Sequence, residues 1–493
     1  MNIKRLSIIP LFLTLFAAVF SSCGGASDNM LSVTADTVTA TESAETEPAY
    51  VYPDVNYNGA EFRILNFDQL WDMFIHIDFE QLDGEILHDA VYNRNRKVES
   101  QLGCKIVEKE LVNTSNTTSE PTKAAKASIL AGEDAYDIMY LDFKSDTSIM
   151  TEGYLLNLLD MPEFNFSEEW WDTAITDSLT YNNNLIGASG ALNLMPFDAT
   201  AVLFFNQDMC NDFGYDLPYD KVRDGTWTFD ALAEYTKSVA NLNGDADWGW
   251  NQNNKCLYGM AIHQSAFCQR FIYSGGADFV KVGSSGKFEL TIDTERFYSL
   301  MEKLASLCKA GEGYAFKASW DDFNADIGGY CYTFYNKRSL FLTAEIKTAQ
   351  LFRDMEDTFG IVPNPKYDEA QEEYRVCVCP FLMTVPATNT NLSRTATIAE
   401  VLTHDSHCDV IPVYYDYIVN QKGLRNEDSI EMMDIARRGR GIELGEVYGL
   451  ANELRNKMND HILAGDPAVA SVVESYRANV EANIEKFIAA LEN

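Results

Sequence analysis

Apolar positions along this chain follow two different periods, and the switches between them outline its elements. In "NGAEFRILNF" a glycine turn leads into alternating and then continuous apolar residues, which predicts a strand. In "GEILHDAVYNRNRKVESQLGCKIVEKELV", Ile86, Leu87, Ala90, Val91 and Val98 recur at helical spacing, so this stretch reads as a helix followed by a strand. "ASILAGEDAYDIMYLDF" repeats helix, turn and strand, with Ile138 to Phe143 as a buried strand. Helix and strand units alternating at this length predict an α/β architecture with a largely parallel sheet.

The N-terminus has a different pattern. Lys4 and Arg5 precede an apolar run from Ile8 to Phe20, broken only by Pro10 and Thr14, and the small residues Ser21 and Ser22 close it. That is the layout of a secretory signal over residues 1–22. The run is about 13 residues, short of the roughly 20 that a membrane-spanning helix needs. Phe20-Ser21-Ser22-Cys23 resembles the bacterial lipobox, although most lipoboxes carry Leu where Phe20 stands. The resemblance implies that Cys23 is diacylated and begins the mature chain; a plain secreted protein is the alternative. Residues 24–49 are mostly Gly, Ser, Thr, Ala, Asp and Glu, too polar to bury a core, so residues 23–51 read as a lipidated cysteine and its tether. A flexible coil of that length reaches about 25–30 Å.

Composition narrows the partners. The net charge of -36 becomes more negative still once Lys4 and Arg5 leave with the signal. Nucleic acid is excluded, because binding it requires Lys and Arg to neutralise phosphates. The same balance disfavours acidic ligands and leaves neutral or cationic ones easier to hold. The body of about 440 residues exceeds one hydrophobic core and predicts at least two lobes. Ten cysteines include Cys23, so an odd number remains for pairing. They are widely spaced, and Cys377 and Cys379 sit in an apolar strand-like run, which favours buried free thiols.

Beyond Phe143 come "EGYLLNLLDMPEFNFSEEWWD" and "NNNLIGASGALNLMPFDATAVLFFNQDMCNDFG", then "DGTWTFDALAEYTKSVANLNGD" and "RSLFLTAEIKTAQLFRDMEDTFGIVPNPKYDEAQEEY". "VIPVYYDYIVNQKGLRNEDSIEMMDIARRGRGIELGEVYG" follows. In this order, from about residue 55 to the end, the segments resemble the family 1 extracellular solute-binding proteins, the ligand-capturing subunits of ABC importers. The resemblance implies a two-lobed periplasmic-binding-protein-like fold of type II, with crossing segments near Met195 to Thr200, Tyr374 to Pro380 and Asp409 to Pro412. The lobes would then be residues 52–198 plus 375–410 and residues 199–374 plus 411–493. It further implies a monomer without cofactor or metal, a small-molecule ligand that is a carbohydrate, an ABC permease as partner and no enzymatic activity. A peptide or polyamine ligand is the alternative on the same fold.

Sugars present flat C–H patches and a rim of hydroxyls, so their sites combine aromatic faces with polar side chains. Core packing competes for every tryptophan here. Trp170, Trp171 and Trp227 read as packing residues, whereas Trp320 in the polar "KASWDDFN" is the candidate platform. Asp142 and Phe143 end a predicted strand, where ligands of open α/β sheets sit. Ser189 and Gly190 follow a short strand toward the first crossing, and Glu345 ends "SLFLTAE", where family members often place a ligand contact. Each could equally be a cap or a surface group.

Two metal patterns are incomplete. "NLNGDADWGWNQ" has the spacing of a calcium loop from Asn241 to Gln252, but its turn glycine and final acid are replaced. His404, His407 and Cys408 could ligate zinc, but no second ligand cluster accompanies them. Catalytic signatures such as GxSxG, HExxH and the P-loop are missing. A surface glycan-degrading enzyme with a carboxylate dyad is the alternative from another class.

Overall fold

Strands and helices alternate from Ala60 to Leu141, as their periodicities predict. The computed structural model describes residues 50–68, 73–112, 119–144, 146–249, 254–322, 327–378, 381–419, 424 and 426–492. Cys23, the signal segment and nearly all of the tether lie outside these residues, as do Trp250, Gln252, Cys379 and Pro380. Residues Tyr52–Asn493 form one unit by their contacts.

The chain opens with β1 (Ala60–Phe67), β2 (Cys104–Leu111) and β3 (Ile138–Leu141), followed by β4 (Ala201–Asn206) and β5 (Tyr258–His263). A small hairpin, β6 (Val280–Val282) and β7 (Phe288–Leu290), precedes β8 (Ala315–Ala318), β9 (Ser339–Glu345) and β10 (Phe359–Pro363). The last strands are β11 (Val376–Cys377), β12 (Leu382–Thr384) and β13 (Arg440–Gly441). Two main sheets result. The first has the order β12-β3-β1-β2, with β1 parallel to β2 and β3 and with β12 antiparallel to β3. The second has the order β10-β4-β9-β5-β8, parallel across β9, β5 and β8. β4 lies between β10 and β9 and every one of its six residues is buried, which is why "AVLFFN" is a continuous apolar run rather than an alternating one.

Helices between the strands carry their own start and stop signals. Ser119 caps the helix Glu120–Leu130 by accepting a hydrogen bond from Thr122 N at 3.2 Å, and Pro121 occupies the first turn. The helix Ile86–Leu102 ends at Gly103, whose φ of 62° is the left-handed conformation that glycine adopts without strain. It packs its Leu87, Val91 and Val98 face inward and runs against the helix Leu392–Asp409, which is buried along most of its length.

The connections between the sheets decide where a site can form. The first passes from β3 to β4 through Met195–Asp198, which is one helical turn. Pro196 sits in its first turn, and the Asn193 side chain accepts a hydrogen bond from Met195 N at 2.8 Å, so the local sequence favours a turn. Met195 and Ala199 pack with Phe67, Met73, Ile75 and Phe381. The second connection is β11, which pairs in parallel with β13. At the third, the helix Leu392–Asp409 meets the helix Ile411–Val419 across Val410.

Asp198 fastens the first and third of these connections together. Its carboxylate accepts from Phe74 N and from Tyr414 Oη, each at 2.7 Å, and it is 3% exposed. Burial pushes its proton affinity up, against the pull of those two donors.

Candidate functional site

The carboxyl end of β3 is where the first sheet offers chemistry. Asp142, Phe143 and Lys144 emerge there and line a cavity with Gln269, Val378, Leu382, Glu443, Glu446 and Val447. The lining therefore joins the first sheet to the helix Phe267–Ser274 and to the turn Leu444–Val447, nearly 300 residues away in sequence. The cavity encloses about 10 Å3, room for about one water. Any larger ligand therefore requires the walls to part.

Charge dominates these walls. Glu443 is fully enclosed and accepts hydrogen bonds from Phe279 N, Val280 N, Gly445 N and Glu446 N at 2.7–3.1 Å. Burial nevertheless pushes its pKa up to about 8. Asp142 is also raised by burial, while its carboxylate accepts from Lys144 N at 3.1 Å. Burial acts on Glu446 in the same direction, but Lys144 and Arg455 outweigh it and hold the group below its usual value. Lys144 Nζ donates to Glu446 Oε1, and Arg455 Nε lies 3.3 Å from Oε2. The Lys144–Glu446 pair ties the end of β3 directly to the C-terminal segment. Phe143 stacks on Tyr448 with ring centres 6.2 Å apart and planes 11° from parallel.

A second group stands at the carboxyl ends of β5, β8 and β9. Glu345 ends β9 and forms an ion pair with Arg270, whose Nη1 also donates to Thr343 O at 3.0 Å. Arg270, Lys347 and His263 together overcome the burial of Glu345 and lower its proton affinity. His263, at the end of β5, stands edge-on to Tyr330 at 4.8 Å and is held below its usual pKa by burial and by Arg270. Trp320 is half-buried and lies 6.2 Å from the Tyr330 ring. Gln269 and Arg270 are neighbours on one helix, so they link this group to the cavity.

The six residues singled out from the sequence therefore separate. Asp142 and Phe143 line the cavity. Trp320 and Glu345 belong to the second group. Ser189 and Gly190 do not line the cavity: Gly190 bridges to Trp171, and Ser189 O accepts from Asp172 N at 2.9 Å. A Cβ at Gly190 would stand 2.7 Å from the Trp171 ring and 2.9 Å from the Thr403 methyl, so that backbone is pressed against its own helix layer. Lys144, Gln269, Glu443 and Glu446 are site residues that sequence reasoning passed over. The signal available for two of them was Glu443 ahead of the turn Leu444–Val447 with Glu446 three residues on, a spacing that caps a helix start.

The metal patterns turn out to be knit into the protein. In the calcium-like loop Asn241 accepts from Asn243 N at 2.7 Å, and Asp245 accepts from Lys255 N and Cys256 N. His404 bonds Asp405 at 2.8 Å, whereas His407 pairs with Glu169 at 3.3 Å. Among the described residues, one group gathers ligand-type atoms closely, His76, Glu108 and Glu110; Glu108 already accepts from Asn66 Nδ2, Ile77 N and Asp78 N. The described cysteines Cys104, Cys210, Cys256, Cys268, Cys308, Cys331, Cys377 and Cys408 are free thiols.

Solved structures with this arrangement include solute-binding proteins. UspC of M. tuberculosis superposes with a TM-score of 0.55 at 15% identity, covering 86% of this chain and 100% of its own. The ABC substrate-binding protein Lmo0181 of Listeria monocytogenes, solved with cycloalternan, gives 0.54 at 12% identity, covering 87% and 99%. The maltose/maltodextrin-binding domain MalE of Bdellovibrio bacteriovorus, bound to maltotriose, gives 0.52 at 13% identity, covering 86% and 100%. No family model and no curated protein matches the sequence. At these identities the likeness defines the fold, the two-lobed periplasmic-binding-protein-like architecture. No helix among the described residues is long and apolar enough to cross a membrane.

Proposed function

We propose that this chain is an extracytoplasmic solute-binding protein that captures a sugar or oligosaccharide between two lobes for an ABC importer. One observation carries the reading: the chain matches binding proteins of this kind over their whole length, and its cavity joins residues 141–144 to residues 443–447. Two of the neighbours hold oligosaccharides. The lobes are residues 52–198 with 375–410 and residues 199–374 with 411–493. Asp142 and Phe143 meet the ligand from one lobe, and Trp320 and Glu345 from the other. Cys23 anchors the monomer by its acyl chains, and the polar stretch behind it lets the body reach a permease.

The mechanism is differential affinity. A ligand that touches both lobes only in the closed state shifts the open–closed population by that difference. On this reading the arrangement with the small cavity is the closed one, and binding begins with opening, in which the Lys144–Glu446 pair is broken and then remade.

Thermal-shift titration of the full chain with mono- and oligosaccharides tests the reading. A sugar at about 100 times its Kd adds about 2.7 kcal/mol to the folded state and raises the melting midpoint. Chromatography of the same mixtures should show no product; turnover would point to a glycan-degrading enzyme instead. A second reading, a cationic ligand such as a polyamine, draws on the acidic residues Asp142 and Glu446 in the cavity wall. A midpoint raised by spermidine and by no sugar would favour it.

A further inference from the structure

Three arginines crowd "ARRGRGIELGE", and they are not equivalent. Arg437 and Arg438 end the helix Glu427–Arg438 and pair with Asp434 in the same helix. Arg440 instead stands on β13, and its side chain is only 9% exposed. Its Nη2 donates to Asp172 Oδ2 at 2.7 Å, and its guanidinium lies 4.1 Å from the centre of the Phe197 ring. Tyr415 stands edge-on to the same ring. Nε and Nη1 of Arg440 are buried and make no hydrogen bond among the described residues.

The backbone is shaped to hold this side chain in place. A Cβ on Gly439 would stand 2.0 Å from Tyr374 O, and one on Gly441 would stand 2.0 Å from Tyr273 Oη. The two glycines let β13 lie tightly against its neighbours, and β11 pins it from the other side through Val376 N to Gly439 O and Val378 N to Gly441 O. Arg440 thus projects from a rigid ladder at the second connection between the sheets, beside Phe197 of the first. An arginine cannot shed its charge or its donors when buried. Unmet donors in such a place are rare and call for a function.

We propose that Arg440 is a ligand-recognition residue, with Nε–H and Nη1–H donating to hydroxyl or ring oxygens of a neutral ligand. This inference rests on the solute-binding reading above and names the class that fits it, an uncharged saccharide. Asp172 already balances the guanidinium charge, so a carboxylate ligand would add an unbalanced anion beside Asp172. Hydroxyl oxygens accept from the two free donors without adding charge. The Tyr415 ring beside them suits the C–H face of a sugar.

The test is a thermal-shift titration of the full chain with D-glucose, D-galactose, maltotriose and D-galacturonate, for wild type, Arg440→Lys and Arg440→Met. Arg440→Lys keeps a cation for Asp172 but loses Nε and the planar donor set, so it guards against a variant that merely fails to fold. The expected result is a midpoint shift of wild type with a neutral sugar, at least tenfold weaker binding in Arg440→Lys and none in Arg440→Met. Equal binding of that sugar by Arg440→Lys, with an unchanged unliganded midpoint, overturns the role of Arg440. A response to galacturonate alone overturns the neutral class. No response of wild type to any of the four sugars overturns the saccharide reading itself, and the inference with it.

Discussion

Two buried carboxylates, Asp198 and Glu446, fasten distant parts of the chain in opposite ways. Asp198 is 3% exposed and takes both bonds from neutral donors, Phe74 N and Tyr414 Oη. Glu446 is 5% exposed and takes its partners from cations, Lys144 and Arg455. The Lys144 side chain is 25% exposed, so water can reach the pair from one side. Neutral bonds in a dry place are costly to break, because the freed groups find no replacement partner. An ion pair at a wet edge can be taken apart, since each charge regains its hydration. The difference teaches where motion belongs. Contacts around Asp198 suit an axis that stays intact, and the contact at Glu446 suits a gate that opens.

Removing the Asp198 side chain should therefore have the largest effect. Asp198→Ala leaves Phe74 N and Tyr414 Oη buried without an acceptor, at a cost of about 2–4 kcal/mol. Urea unfolding followed by tyrosine and tryptophan fluorescence measures it, and Asp198→Asn, which keeps one acceptor, should lose less. A loss below about 0.5 kcal/mol for Asp198→Ala would erase the contrast with Glu446.

Titration gives the next effect. Glu443, pushed up to about 8 by burial, holds a proton in the folded state at pH values where the unfolded chain has released it. Its contribution to stability is thus greatest below the unfolded value near 4.5 and declines as pH rises toward 8. Glu446 and Glu345, both lowered, contribute fully above their unfolded values and lose that contribution only in acid. His263 works against the decline up to near neutrality, because the unfolded imidazole binds protons that the folded one refuses. The discriminating measurement is the difference between wild type and Glu443→Gln from pH 6 to pH 9. Wild type should lose about 2–3 kcal/mol more over that range than the variant. Glu443→Gln should itself start lower by about 1 kcal/mol, since an amide nitrogen cannot accept one of the backbone bonds now made. Parallel curves would mean that Glu443 is ionised throughout.

Local rules made the sheets legible and left the gate hidden. The 3.6 and 2.0 periods locate β1, β2, β3 and the helices between them, because each element buries one face against the next. The strand-end rule picks out Asp142 and Phe143, whose position follows from β3 alone. Ser189 and Gly190 follow so short a strand that no period says which side they face, and the Trp171 ring decides it. Glu345 was placed by analogy, and its bond to Arg270 depends on a helix that begins after a different strand. Lys144 and Glu446 are 302 residues apart. Nothing in the periodicity of either segment refers to the other. Arg440 had a readable trace, a glycine on each side, but the close contacts that require those glycines come from Tyr374 and Tyr273.

The smallest expected effect is the sharpest test of the gate. In Lys144→Met the stem of the side chain keeps its packing and Glu446 retains the nearby Arg455 charge, so overall stability should fall by about 1–2 kcal/mol, less than when a buried charge loses its only partner. In the proposed mechanism the same loss falls almost entirely on the closed arrangement, since opening would separate the end of β3 from the turn Leu444–Val447. A bias of about 1 kcal/mol changes an open-to-closed ratio about fivefold. Small-angle X-ray scattering of the unliganded chain should then show a larger radius of gyration for Lys144→Met than for wild type. Raising salt should move wild type in the same direction and leave the variant nearly unchanged, because screening acts on the pair that the variant lacks. Asp198→Asn, tested alongside, should lose stability without this salt response. If Lys144→Met scatters like wild type at every salt concentration, the ion pair is packing rather than a gate, and the two carboxylates differ in chemistry alone.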